Sequence, residues 1–169
     1  MSNNVSIDWA YNNLTISVIS SEKADLLDLW ELSQDLQDVD DLSPLTFYTH
    51  SPIPDLLIET VGHTDEDTIQ ECVAKTGHPT LHQYTLKVWG CVTDASEVNF
   101  TQSGDDELNY EFKTRSTPPM GWLRELSEQY PELMFEMEST NEFELFEEFD
   151  VVYIDGKQVL LEYHKRQRD

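Results

Sequence analysis

Basic residues are scarce in this sequence: 10 Lys and Arg stand against 34 Asp and Glu, which gives the 169 residues a formal net charge of -24 at pH 7. Nucleic acid and anionic membranes repel such a chain, so we expect no direct binding to nucleic acid and none to a membrane. The charge favours a basic partner, and proteins that bind nucleic acid are often basic.

Cysteine, glycine and long apolar runs are also scarce. Cys72 and Cys91 are the only cysteines, which is typical of a reduced, cytoplasmic protein without a disulfide framework. Six scattered glycines form no phosphate-binding loop. No apolar run approaches the roughly 20 residues of a membrane helix, and residues 1–5 lack the basic start and apolar stretch of a secretory signal.

The sequence does contain enough apolar residues for an ordinary core. Hydrophobic residues make up 38%, with four Trp, seven Tyr and seven Phe, so we expect one domain over residues 1–169, with 165–169 as a frayed, dispensable tail. Two stretches hold many acids and no base: seven acids in 25–41 and eight in 132–150. Both stretches also carry apolar residues that can form part of a core, so both are expected to fold.

The hydrophobic periods predict a mixture of strands and helices. A period of two predicts a strand over 14–19, and Asp155-Gly156 predicts the type I′ turn of a hairpin over 151–163. Ser20 or Ser21 is the predicted cap of a helix over 21–39, and Thr64 that of a short helix ending at Gly77. The other predicted elements are a loop over 42–61 with a short edge segment, strands over 83–89, 97–101, 108–114 and 133–138, and a helix over 118–130. This order indicates the α+β class, with helices packed on one face of a mainly antiparallel sheet.

A resemblance to a known family is carried by three stretches of the sequence, at 9–16, 88–95 and 110–119. The third stretch continues over 130–136. They read Trp-Ala-Tyr-Asn-Asn-Leu-Thr-Ile, Val-Trp-Gly-Cys-Val-Thr-Asp-Ala, Tyr-Glu-Phe-Lys-Thr-Arg-Ser-Thr-Pro-Pro and Tyr-Pro-Glu-Leu-Met-Phe-Glu. In this order the chain resembles the Api92-like ferredoxin domain family, small proteins of phages, plasmids and genomic islands. The resemblance implies a ferredoxin-like fold without iron or sulfur, an origin in mobile DNA and no catalytic residues.

Metal, cofactor and catalytic motifs are not evident from the residues themselves. Cys72, His78, His82 and Cys91 are zinc-ligand types, but their spacing matches no common zinc motif, and buried thiols with loop histidines explain them better. Acidic runs at 38–41 and 65–67 lack the spacing of a calcium loop. No serine or cysteine carries a nucleophile-elbow signature, so we expect no metal, no cofactor and no enzyme activity.

The acidic residues are therefore the candidate partner-binding residues. Asp28, Glu31, Asp35 and Asp38 recur at three- and four-residue spacing, which predicts an outward stripe on the first helix. Pairs two residues apart would place charges about 6.6–6.8 Å apart on one face of a strand. The second set is Glu136, Glu138, Glu142, Glu144, Glu147 and Glu148.

Two hypotheses follow from these residues and the resemblance. The favoured one is a non-enzymatic, phage- or plasmid-encoded inhibitor acting in the host cytoplasm. It would block a basic nucleic-acid-binding defence protein, such as a nuclease, CRISPR effector or restriction complex, by presenting acids in place of phosphates. The alternative is a structural or adaptor protein of the mobile element, acting as a homodimer, whose charge is incidental.

Overall fold

The computed structural model describes residues 9–20, 22–60, 65–141 and 147–165. The described residues form six strands and five helices. In chain order these are β1 (Trp9–Val18), α1 (Lys23–Asp35), α2 (Asp55–Ile58), α3 (Glu66–Thr76), α4 (Leu81–Val88), β2 (Ser96–Ser103), β3 (Glu107–Arg115), α5 (Met120–Gln129), β4 (Leu133–Asn141), β5 (Glu147–Ile154) and β6 (Lys157–Lys165).

The strands form one antiparallel sheet in the order β2-β3-β1-β4-β5-β6. β3 lies between β1 and β2, and β4 lies on the other side of β1, which is the split βαβ arrangement of ferredoxin-like folds. The β5–β6 hairpin extends the sheet beyond β4. The predicted α+β class with a mainly antiparallel sheet is confirmed.

The helices cover one face of this sheet. Alternate residues of β1, such as Leu14 and Ile16, are fully buried, and they share one core cluster with Leu32 of α1 and Trp122 of α5. The connections from β1 to β2 and from β3 to β4 both pass on this side, so the other face is left without a covering layer of helix among the described residues. We call it the open face.

An aromatic cluster ties the long loop after α1 to this core. The ring of Phe47 lies 4.5 Å from that of Trp122, 5.5 Å from that of Trp89 and 5.9 Å from that of Phe112, measured between centroids. The Trp89 indole donates a hydrogen bond to the carbonyl oxygen of Ser51 over 3.0 Å. Trp89 is thereby held in the core, where it is 2% exposed.

The segment 83–89 was predicted as a strand, and this prediction is wrong. It belongs to α4, because Thr80 caps the helix by accepting from the Gln83 N–H and because Leu81, Tyr84 and Val88 recur at helical spacing. The aromatic and β-branched residues that suggested a strand pack between helices instead. Likewise, the loop over 42–61 contains the short helix α2 rather than an edge strand.

The first helix is shorter than predicted, and it begins without a serine cap. Glu22 occupies the N-cap position with no side-chain hydrogen bond, while Ser20 donates to the carboxylate of Asp25 over 2.5 Å. The helix ends at Asp35, and Asp38 then pairs with Ser43. Ser21 and Thr64, both predicted caps, lie outside the described residues. Asp65 caps α3 by accepting from the Thr68 N–H.

The predicted end of a helix at Gly77 and the predicted turn at Asp155-Gly156 are both confirmed by positive φ angles. Gly77 ends α3 at φ 79°, and Asp155 and Gly156 turn the hairpin at φ 51° and 70°, as a type I′ turn requires. Lys165, expected in the tail, is the last residue of β6 and is in register with Glu147. Residues 166–169 lie outside the described residues.

Gly121→Ala is expected to destabilise the protein, although alanine has a higher intrinsic helix propensity than glycine. A Cβ at this position would lie 2.2 Å from the carbonyl oxygen of Val88, so α4 and α5 would have to separate. Such overpacking costs about 1–3 kcal/mol or more. Urea unfolding followed by circular dichroism measures the change. The control is Gln129→Ala at the exposed end of α5, which should stay within about 0.5 kcal/mol. A variant at least as stable as the wild type would contradict this close helix contact.

Candidate functional site: the acidic open face

A row of acidic residues crosses the open face of the sheet. The antiparallel registers align Glu111 of β3 with Asn13 of β1, Asn13 with Glu138 of β4, Glu138 with Asp150 of β5, and Asp150 with Glu162 of β6. We call Glu111, Glu138, Asp150 and Glu162 the acid row. Because neighbouring strands lie about 4.8 Å apart, the last three of these backbone positions are separated by steps of about that length.

Two further acids flank the acid row. Glu136 lies two residues before Glu138 on β4, and Glu148 lies two residues before Asp150 on β5. Residues two apart on a strand share a face at about 6.8 Å spacing. Glu136 and Glu138 are both exposed, so the prediction that they project from one face of a strand is confirmed.

Three depressions indent the open face, and Glu138 lines all of them. Their volumes are about 360, 300 and 380 Å³. The first lies near β2 and β3, the second between β1 and β5, and the third near β5 and His164. Glu138 thus lies in the middle of a surface whose depressions are large enough to accommodate side chains of a partner.

Two basic side chains accompany the acids of this surface, and one of them, His164, contacts the acid row itself. Lys113 forms an ion pair with Glu97 at 2.7 Å and lies 5.3 Å from the ring centroid of Tyr11. His164 Nε2 lies 2.8 Å from an Asp150 carboxylate oxygen. This hydrogen bond raises the pKa of the His164 imidazole above its usual 6.5.

The acid row costs stability. In an antiparallel pair, like charges directly opposite each other are unfavourable, on a scale of about 0.2–1 kcal/mol per pair. Glu138 with Asp150, and Asp150 with Glu162, are two such pairs. The His164 imidazole offsets part of this repulsion only when it is protonated.

The stripe predicted on α1 lies on the other side of the sheet. Glu31 and Asp35 are exposed on this helix, which packs against the covered face. Asp35 accepts a hydrogen bond from the Tyr130 hydroxyl at 3.4 Å. Burial, followed by the charge of Asp35, raises the pKa of Tyr130 to about 12. Asp28 is half-buried beside them.

Asp38 does not continue that stripe, because the helix has already ended. Its carboxylate accepts hydrogen bonds from the backbone N–H groups of Asp40 and Asp41, at 3.1 and 3.2 Å, and so holds a local turn. The structure therefore does not unite the two predicted acid sets into one surface. In the sequence, Leu29, Trp30 and Val39 keep helical spacing, but Trp30 and Val39 are 60% and 80% exposed, and Leu32 packs beside Leu29 in the buried face.

The remaining predicted acids follow β4. Glu142 and Glu144 lie outside the described residues. Glu147 is the first residue of β5, and Glu148 is half-buried on the same strand. Glu111, Asp150 and Glu162 were missed as members of a shared surface, because strand register and not sequence proximity brings them together.

The two-cysteine, two-histidine set does not form a metal site in the described part of the chain. Cys91 is buried in the main core, where burial raises the pKa of its thiol, and Cys72 is buried in a second small cluster with Leu57 and Tyr84. His82 lies on α4 and not in a loop. Among the described residues, the ligand atoms of Asp150, Glu162 and His164 do lie within 4.8 Å of one another, on a half-exposed to exposed surface.

No helix in the described ranges is both long and apolar enough to cross a membrane.

Comparison with known proteins gives one structural similarity and no sequence match. No family model matches this sequence, and no curated protein matches it. The fold is similar to the crystal structure of protein api92 from Yersinia pseudotuberculosis, with a TM-score of 0.55 and 11% identity. The alignment covers 97% of this chain and 100% of that one. At this identity the similarity concerns the fold alone.

Glu138→Gln is expected to raise the free energy of unfolding by about 0.2–1 kcal/mol at low salt, because it removes the charge opposite Asp150. The gain should shrink at 1 M salt, where the Debye length falls to about 3 Å. Thermal unfolding at both salt concentrations measures it. The matched control is Glu111→Gln in the same row, whose register partners Asn13 and Asn99 are neutral. Equal gains in the two variants would contradict the proposed repulsion.

His164→Asn is expected to lower the urea midpoint in acid and to leave it unchanged in alkali. Since the folded-state pKa of His164 is raised, its pairing with Asp150 stabilises fully below pH 6.5 and is lost as the pH rises through the raised pKa. Midpoints measured near about pH 5.5 and about pH 9 test this. In an Asp150→Asn background the pH-dependent difference should disappear, and its persistence there would assign the effect to another group.

Proposed function

We propose that this chain is a non-enzymatic inhibitor of a nucleic-acid-binding host defence protein, of the anti-CRISPR or anti-restriction type. It is encoded by a phage or plasmid and acts in the host cytoplasm. The open face occupies the basic groove of a nuclease, CRISPR effector or restriction complex, with carboxylates where phosphates otherwise bind.

The acid row is the observation that carries this proposal. An acidic surface that serves only solubility has no need to align like charges, because dispersed charges do the same. Glu138, Asp150 and Glu162 are aligned on three adjacent strands, at a cost to stability. Such an alignment favours binding to a basic partner over a purely solubilising role.

The spacing of the acids suits a phosphate-binding groove. Duplex DNA carries one charge per about 3.4 Å of axial rise on each strand, and the path between successive phosphates is longer than that rise. The open face offers backbone steps of about 4.8 Å across strands and about 6.8 Å along β4 from Glu136 to Glu138. Because these positions are on paired strands, little backbone ordering is needed when a partner binds.

The proposed mobile-element origin rests on the resemblance in sequence, and the similarity in fold to api92 agrees with that resemblance. The two together support membership of the Api92-like family. Neither bears on the identity of the target, so the proposal is tested by activity against defence systems.

Glu136→Lys/Glu138→Lys is expected to abolish protection of a phage from the defence system that the wild-type chain inhibits. Plating efficiency is measured on strains carrying a CRISPR system or a restriction system, each expressing the wild-type chain or a variant. The matched control is Glu31→Lys/Asp35→Lys on α1, which changes the net charge by the same amount on the other side of the sheet. Because the acids act locally on the partner, only the first variant should lose protection.

Binding to the inhibited defence protein provides the second readout. The complex should weaken with rising salt, and the target's own nucleic acid should compete with it. Simultaneous binding of both without mutual loss of affinity would refute the substitution of acids for phosphates. Equal loss in both charge-reversed variants would assign the effect to net charge alone. No protection against any system, together with a homodimer in solution, would favour the adaptor hypothesis.

A further inference from the structure

The edge of the sheet at β6 is the least protected edge of the described fold. Within the described residues, β6 pairs with β5 and has no strand on its other side. From 160 to 165 its register with β5 is regular, which gives six successive pairs. An edge strand presents unpaired backbone N–H and C=O groups to any extended segment that reaches it.

The opposite edge, β2, is protected in the usual ways. A register shift lies between Ser96 and Asn99, Glu97 adopts a φ of 51°, and its carboxylate forms an ion pair with Lys113. Bulges and charges of this kind block the addition of a further strand. On β6 the register shift lies beside the hairpin turn, so the pairing of residues 160–165 with β5 is uninterrupted.

One side of β6 is apolar and exposed. Leu161 is in register with buried Val151, and Tyr163 is in register with Phe149, so both belong to the covered side of the sheet. The helices do not reach far enough to bury them: Leu161 is 37% exposed and Tyr163 is 67% exposed. The Tyr163 ring lies 5.9 Å from that of Phe149, which extends the core surface to the edge.

The other side of β6 carries Leu160, Glu162 and His164, so it holds one acid. Glu162 is in register with Asp150, so the acid row reaches the edge at this residue. A strand added beyond β6 would place a side chain about 4.8 Å from Glu162 on the open face. A lysine or arginine there would face an acid, whereas an aspartate or glutamate would extend the repulsion.

We propose that β6 is a docking edge for an extended segment of the partner protein, in which basic residues alternate with apolar ones. The basic residues contact Glu162 on the open face, and the apolar residues pack on Leu161 and Tyr163. The backbone adds a seventh strand to the sheet, the mode known as β-augmentation. The inference rests on the proposed function for the basic character of the partner, and it adds the conformation and pattern of the segment that binds.

Charge argues against a second copy of this chain as the occupant. Each copy has a formal charge of -24, and an edge-to-edge dimer would bring two acid rows together at their Glu162 ends. A basic segment meets the same backbone groups and apolar side chains without that repulsion.

A twelve-residue peptide of alternating lysine and valine is the probe, added to the full chain and followed by calorimetry and amide hydrogen exchange. We expect binding with new protection of β6 amides. Leu161→Thr/Tyr163→Thr keeps strand-forming residues and should weaken binding about tenfold, which corresponds to about 1.4 kcal/mol. The control Val73→Thr removes exposed apolar surface on α3 and should leave the affinity unchanged.

A second peptide, of alternating glutamate and valine, tests the charge pattern and should not bind. Equal binding of both peptides, protection outside β6, no binding at all, or a concentration-dependent dimer that excludes the peptide would each overturn the inference. The peptide assay contains no nucleic acid and no defence protein. If the peptide binds at β6 but the Glu136→Lys/Glu138→Lys variant still protects the phage, the proposed function alone is refuted. If the peptide does not bind but that variant loses protection, this inference alone is refuted.

Discussion

The double pairing of β1 is the constraint on which the rest of the structure depends. β1 is hydrogen-bonded to β3 on one side and to β4 on the other, so its alternation fixes which residues of both neighbours face the core. A shift of the β1 register by one residue would expose Leu14 and Ile16 to water and would place Asn13 and Thr15 in the core. Since both helical connections lie on the Leu14 side, the opposite side of every strand is free to carry charge.

That division explains why one chain can be strongly acidic and still have an ordinary core. The residues that alternate with the acids on β4, namely Leu133, Phe135 and Met137, are fully or almost fully buried, so apolar and acidic residues share a strand without sharing an environment. It also separates the two acid-rich stretches. The first lies on α1, which packs on the covered side, and in the turn that follows it, whereas part of the second lies on the open face.

Local patterns predicted most elements, and the errors have local causes. The alternation of β1, the glycine that ends α3 and the Asp155-Gly156 turn act within a few residues, and they are correct in the structure. The prediction of a strand over 83–89 was wrong because the aromatic residues of this segment suit a strand as well as a buried helix. The acid row could not be predicted, because a two-residue turn alone would pair Asp150 with Leu161. The irregularity at Val152 and Tyr153 shifts the pairing by one residue and brings Glu162 opposite Asp150.

The central position of β1 has a further consequence during synthesis. β1 precedes the other five strands in the chain, and its partner β4 begins at Leu133, more than a hundred residues later. At about 5–20 residues per second, β1 lacks its pairing partner β4 for roughly ten seconds after it is synthesised. The acidic helix α1 follows β1 directly in the chain, so the nascent chain carries like charges next to the apolar residues of β1. The charge thereby discourages association between nascent chains before the sheet can close.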